Sequence, residues 1–321
     1  MQSRVLAAGL LACALALVTH ASHAQQYPAK PVRFIVPFSP GSGSDTIARI
    51  VSTALPEVLG QQVIVDNRAG AAGNIGAELA AKAPADGYNM MLVILGHAAN
   101  ATLYKNLTYD LVRDFAPVTQ LASTPSMLVV HPSLPSKSVA ELVSLARAKP
   151  GAINYSSGGV GTPTFIAGEL FKLAAKVDLL HVPYRAGGEA LTAVVSGETS
   201  VYLAPIAPAL PHVKAGKLRA LAVTSSARLP ILKDLPTVAE SGYKGFQTGN
   251  WYGLMVPART PPEIVAALNK AALAVLKNPT VNRRLVDSGY LVIGDTPGEF
   301  GAHIKSEIAN LARILKDVKV E

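Results

Sequence analysis

Apolar positions along the chain alternate between two periods, and that alternation predicts the architecture. Val32 to Val36 is apolar, largely β-branched and stopped by Pro37, as a buried strand should be. The turn-forming stretch Phe38 to Asp45 leads into Thr46 to Leu59, where Ile47, Ile50, Val51, Ala54, Leu55 and Val58 recur at helical spacing. Pro56 is expected to bend or shorten the end of that helix. The pattern repeats as strand 62–65, a Gly-rich turn 67–73, helix 74–83, a turn at Asp86-Gly87 and strand 90–95. Three strands alternating with two helices predict parallel pairing through right-handed crossovers.

A second block opens near Ser126 with strand 127–130, helix 139–148, strand 153–155, a Gly turn and helix 165–175. Short strands 179–182, 200–203 and 218–224 follow, separated by helix 187–196 and by the Pro-rich stretch 205–216. Trp251 to Val256 reads as a strand, and 261–276 and 297–316 read as helices, the first opened by Pro261 and Pro262. Interruptions near 124 and 245 predict two lobes, 25–125 with 246–321 and 126–245, with a ligand cleft between them.

Composition narrows the class. Of 321 residues, half are hydrophobic and 16% charged, which excludes a disordered chain and allows two buried cores. Residues 1–24 read as a secretory signal: Arg4 is the only charge, the apolar run is too short to span a bilayer, and Ser22-His23-Ala24 offers cleavage after Ala24. A lipoprotein site at Cys13 is the minor alternative. Cleavage would remove Arg4 and the one Cys, taking the net charge from +8 to +7 and excluding disulfides. The basic surplus is scattered, which argues against nucleic acid and suits anionic small molecules.

Two Gly-rich turns, Pro37 to Asp45 and Ser156 to Thr162, each lie between a strand and a helix start, where exposed amides favour a carboxylate or phosphate. Neither is a nucleotide fingerprint, and no nucleophile elbow or metal-ligand cluster occurs. No cofactor is called for. The five later histidines are scattered; His97, after a strand end, is a candidate to line the cleft, and the others read as capping or packed residues. Trp251 reads as core, and Arg185 as solvated.

The order of motifs resembles one family through nearly the whole mature chain. The motifs are Tyr27-Pro28 with Lys30-Pro31, Pro37-Phe38-Ser39-Pro40-Gly41, Asn67-Arg68-Ala69-Gly70-Ala71-Ala72-Gly73-Asn74-Ile75-Gly76, Asp86-Gly87-Tyr88 and His181-Val182-Pro183-Tyr184. Gly216-Lys217-Leu218-Arg219-Ala220-Leu221-Ala222-Val223 and Leu235-Pro236-Thr237-Val238-Ala239-Glu240-Ser241-Gly242 complete the set. Together they resemble the Bug (TctC-like) periplasmic solute-binding proteins of tripartite tricarboxylate transport systems.

The resemblance implies an α/β, two-lobed periplasmic-binding-protein fold of the Venus-flytrap, type II-like kind, each lobe a mainly parallel sheet flanked by helices. It implies a monomer that captures a small organic carboxylate in the periplasm and hands it to TctA/TctB-like membrane permease subunits without catalysis. It nominates Phe38, Ser39, Pro40, Gly41 and Ser42 with Ala71, Ala72 and Gly73 on the first lobe, and Ser157, Gly158, Gly161 and Thr162 on the second. His97, Phe165, Tyr184, Ala204 and Pro205 join them as candidate ligand contacts, and Asp45 is expected to organise its loop. Ser42, Phe165 and Leu203-Ala204-Pro205 depart from the family pattern and predict a more apolar second-lobe wall, favouring an aromatic or otherwise apolar carboxylate. Two rival readings keep the same cleft: a sensor module feeding a membrane kinase, and an exported carboxylate-processing enzyme with Ser42 or Ser157 as nucleophile. For the enzyme, nothing in the sequence supplies a base.

Overall fold

The computed structural model of the chain describes residues 27–316, so the expected signal peptide and Cys13 lie outside the described residues. Strand β1 (Val32–Val36) runs parallel between β2 (Val63–Asn67) and β3 (Asn89–Ile94). Its side chains are buried on both faces, as a continuous apolar strand requires. Phe34 and Val36 pack with Ile47 and Ile50 of α1 (Gly43–Ser52), while Ile35 packs with Ala77 and Ala80 of α3 (Asn74–Ala81). The expected single helix 46–59 is two helices. Pro56 sits in the first turn of a separate α2 (Leu55–Leu59), where its missing N–H has no intrahelical partner to lose.

The sequence reading missed α4 (Leu95–Leu103), which follows β3 without a break. An imidazole makes the transition: Ile94 N–H donates to His97 Nδ1 at 3.1 Å, satisfying a donor the new helix leaves open. Strand β4 (Phe115–Val130) is also far longer than the four residues expected of it. It pairs antiparallel with β9 (Gly249–Pro257) from Phe115↔Pro257 to Pro125↔Gly249, shifting register twice. Beyond that point it pairs with β7 (Val201–Pro205) from Ser126 and with β8 (Arg219–Val223) from Met127. One strand therefore belongs to two half-sheets. The strand order is β2-β1-β3-β9-β4-β7-β5-β6, where β5 is Asn154–Ser157 and β6 is Leu180–Pro183. β8 and the two-residue β10 (Leu291–Val292) also pair with β4.

The outer strands are parallel, as the βαβ rhythm predicts, and the strands that carry the chain between halves are antiparallel. Helices α5 (Val139–Ala148), α6 (Pro163–Ala175) and α7 (Gly187–Ser196) form as read. The Pro-rich stretch after β7 is a helix, α8 (Ile206–Lys214), because Pro208 falls in its first turn and only Pro211 lies inside it. Three helices follow: α9 (Pro262–Lys277), the unforeseen α10 (Pro279–Asp287) and α11 (Pro297–Leu315). Asn278 starts α10 by accepting the N–H groups of Thr280 and Val281.

Candidate ligand-binding site

The first-lobe loops leave the carboxyl ends of β1 and β2, the position where open α/β sheets bind ligands. Asp45 is buried behind the β1 loop. Its carboxylate accepts from Gly41 N–H (2.9 Å), Arg49 Nε (2.9 Å) and Asn67 Nδ2 (2.9 Å). Asn67 Nδ2 also reaches Phe38 O at 3.0 Å, so one carboxylate and one amide fix Phe38 to Ser42 from beneath. Burial alone would raise the Asp45 pKa; the hydrogen bonds from Arg49, Gly41 and Asn67 outweigh it and hold the group below its ordinary value. Ser42 caps α1 by accepting Asp45 N–H at 3.2 Å, and Tyr290 donates to Gly43 O at 2.6 Å.

The β2 loop is strained. Ala71 (φ 47°), Ala72 (φ 53°) and Gly73 (φ 92°) are consecutive left-handed residues, and each alanine costs about 1–2 kcal/mol there. Asn100, fully buried on α4, braces the turn through Nδ2 to Ala72 O (3.2 Å) and Asn74 Oδ1 (2.7 Å). Gly73 is needed: a Cβ would lie 2.8 Å from His97 Nε2 and 3.0 Å from Phe38 Cζ. His97 is thus packed behind the turn and wholly buried, with its ring edge-on to Phe38. Because its Nδ1 accepts the Ile94 N–H, the ring proton belongs on Nε2. That nitrogen has no partner among the described residues, and burial pushes the pKa down to about 4.

On the second lobe, Ser157 Oγ accepts Gly159 N–H (3.0 Å) and lies 2.7 Å from His181 Nε2. Thr164 Oγ1 accepts Gly158 N–H (3.1 Å), and Thr162 Oγ1 donates to Gly159 O (2.6 Å) while capping α6. The loop rests on the first lobe: a Cβ on Gly96 would lie 3.2 Å from Gly161 O, and one on Gly161 would lie 3.3 Å from Asn100 Oδ1. Phe165 is buried against first-lobe residues and the His181 ring. The structure thus brings the Phe38–Ser42, Ala71–Gly73 and Ser157–Thr162 loops to one junction.

Two expectations about the second-lobe wall change. Tyr184 turns its hydroxyl to Glu198 (2.8 Å), and its half-buried ring packs against the second-lobe core. Leu203 and Ala204 are fully buried in clusters on opposite faces of the second half-sheet, because alternate residues of a strand face opposite ways. Of that segment only Pro205 is exposed, so the apolar wall expected from Leu203-Ala204 is not built. Ser157 does, by contrast, meet an imidazole, that of His181, which the sequence marked only as a packed or capping residue. The signal that could have found it is its place on β6, the parallel strand beside β5, where it pairs with Tyr155 two residues before Ser157. Trp251 is core, edge-on to Phe300 and donating to Glu307. Cavities of about 680 and 640 Å³ lie elsewhere, around Val213 to Leu235 and against the crossing strands beside Trp251.

The family model of the tripartite tricarboxylate transporter family receptor matches residues 47–320. The chain belongs to this receptor family. The BugT protein of Bordetella pertussis is 32% identical over 296 residues, covering 92% of this chain and 91% of BugT. Among solved structures, R. palustris Rpa4515 with adipate is 36% identical with a TM-score of 0.82, covering 90% of this chain and 97% of that one. MatC from Rhodopseudomonas palustris with bound malate is 32% identical with a TM-score of 0.80, covering 90% and 100%. The receptor's two-lobed fold is that of periplasmic binding proteins, and among the described residues no helix is long and apolar enough to cross a membrane.

Proposed function

We propose that this receptor captures a small carboxylate between the Phe38–Ser42 and Ala71–Gly73 loops and the Ser157–Thr162 loop, then delivers it to TctA/TctB-like permease subunits. The observation that carries this reading is the left-handed run Ala71–Ala72–Gly73, strain held in place by Asn100 opposite a glycine loop of the other lobe. Strain of this kind persists where the surroundings over-determine it, as at ligand clamps. The bound dicarboxylates of two relatives support the class, and aliphatic dicarboxylates replace aromatic acids as first candidates because Leu203 and Ala204 face the core. The lobes are 25–125 with 246–321 and 126–245. β4 and β9 are the hinge strands, a division supported by the change of β4 partners between Pro125 and Ser126. Export follows the signal peptide at 1–24.

Capture rather than catalysis is the reading for Ser157. Among the described residues no carboxylate is hydrogen-bonded to His181 to orient it as a base. A thermal-shift and calorimetric comparison of adipate, malate and benzoate, each beside its amide, tests the proposal. At 100 times the dissociation constant a ligand adds about 2.7 kcal/mol, a rise of several degrees. An acid that binds and returns intact, with its amide inert, is the expected result. Equal shifts by acid and amide, or depletion of the acid, would sink it.

A further inference from the structure

The Ser157–His181 contact does more than brace a turn. A hydroxyl has one hydrogen, and Ser157 Oγ already accepts the Gly159 N–H. With His181 Nε2 unprotonated, that hydrogen is drawn to the ring across 2.7 Å and Ser157 has none left to give. With the ring doubly protonated, Nε2–H donates to Oγ and the hydroxyl hydrogen is released into the loop. An anion held by the loop then gains a donor and an imidazolium charge behind it.

We propose that solute capture by this cleft is proton-linked: His181, acting through Ser157 as a positioning residue, makes the second-lobe loop grip an anion more tightly when its imidazole is protonated. This rests on the carboxylate-binding reading above. The ring is stacked on Tyr155 and against Phe165, each with centroids 4.9 Å away. The charged groups that act on it come from α6: Glu169 and Lys172, paired at 3.0 Å, with Glu169 also accepting the Tyr155 hydroxyl at 2.6 Å. Opposite charges so paired largely cancel, and burial leaves His181 below its ordinary value of 6.5 in the ligand-free receptor. A bound carboxylate raises it. Affinity is therefore flat above the bound-state pKa and climbs as pH falls through it, by at most tenfold per pH unit for one proton. Below the free-state pKa it levels off.

Calorimetric titration with adipate and with malate over about pH 5.5 to 8, in buffers of different ionisation enthalpy, tests this. The wild-type receptor is expected to take up a fraction of a proton on binding and to tighten several-fold toward acid pH. His181→Gln, whose side-chain amide is a permanent donor at the Nε2 position, is expected to bind with the same affinity at every pH. Ser157→Ala, which keeps His181 but removes the hydroxyl, is expected to lose the acid tightening; it serves as the second probe should the first variant fold poorly. Binding without proton uptake, or an unchanged pH slope in either variant, overturns the proton link and leaves the proposed function standing. Failure of both acids to bind at any pH removes both.

Discussion

The two sides of the proposed cleft are built on opposite principles. On the first lobe a buried carboxylate, an amide and a strained backbone fix the loops from behind: Asp45 and Asn67 hold Phe38 to Ser42, and Asn100 holds Ala71 to Gly73. On the second lobe hydroxyls and an imidazole do the holding, with Ser157, Thr162, Thr164 and His181 joined by neutral contacts. A charged, lowered-pKa anchor keeps its state across the physiological range. A hydroxyl–imidazole anchor can change donor direction with a single proton. The difference teaches that one lobe is preset and the other adjustable.

The sharpest way to break this contrast is Asp45→Ala, which removes the acceptor shared by Gly41 N–H, Arg49 Nε and Asn67 Nδ2 and leaves Asn67 to hold the loop through Phe38 O alone. A loss of about 4 kcal/mol of stability, with carboxylate binding lost beyond a hundredfold, is expected in denaturant melts and calorimetry. Acid should expose the next weakness. His97 is buried with its pKa at about 4 against an ordinary 6.5, so its contribution is complete above 6.5 and is lost as pH falls toward 4. Urea melts should show about 3 kcal/mol of destabilisation over that window, a slope that His97→Asn, which keeps an acceptor for the Ile94 N–H, should remove. Gly73→Ala forces a Cβ into His97 and Phe38 at a φ of 92° and should cost about 2 kcal/mol along with most of the affinity. The smallest effect is the most telling. Ala72→Gly relieves left-handed strain and should change stability by about 1 kcal/mol or less, while weakening binding several-fold through a looser loop. Unchanged affinity in that variant would mean the strain is incidental.

Much of the fold was legible in local pattern. The apolar β1 bounded by Pro37, the glycine turns and helices α5 and α7 follow from periodicity and turn chemistry that neighbouring residues set among themselves. The failures share a cause. β4 carries Pro117 and Pro125 and reads as a strand only over 127–130, yet it survives as one strand because two register shifts absorb irregularity and β9, then β7 and β8, pair with it along its length. α4 escaped notice because its cap is an imidazole, outside the residue types that announce a helix start.

The candidate site divides along the same line. Sequence alone determined where the Gly-rich candidate loops occur, since turns between strand and helix are local facts, and it marked Asp45 as a loop organiser because a carboxylate repels an anionic ligand. Only the tertiary structure decided that Ser157 meets His181 24 residues away, that Leu203 and Ala204 face the core rather than the cleft, and that Ala71 and Ala72 are left-handed. Those outcomes depend on strand register and on packing between distant segments, which fix side-chain direction and supply the energy that holds strained backbone in place.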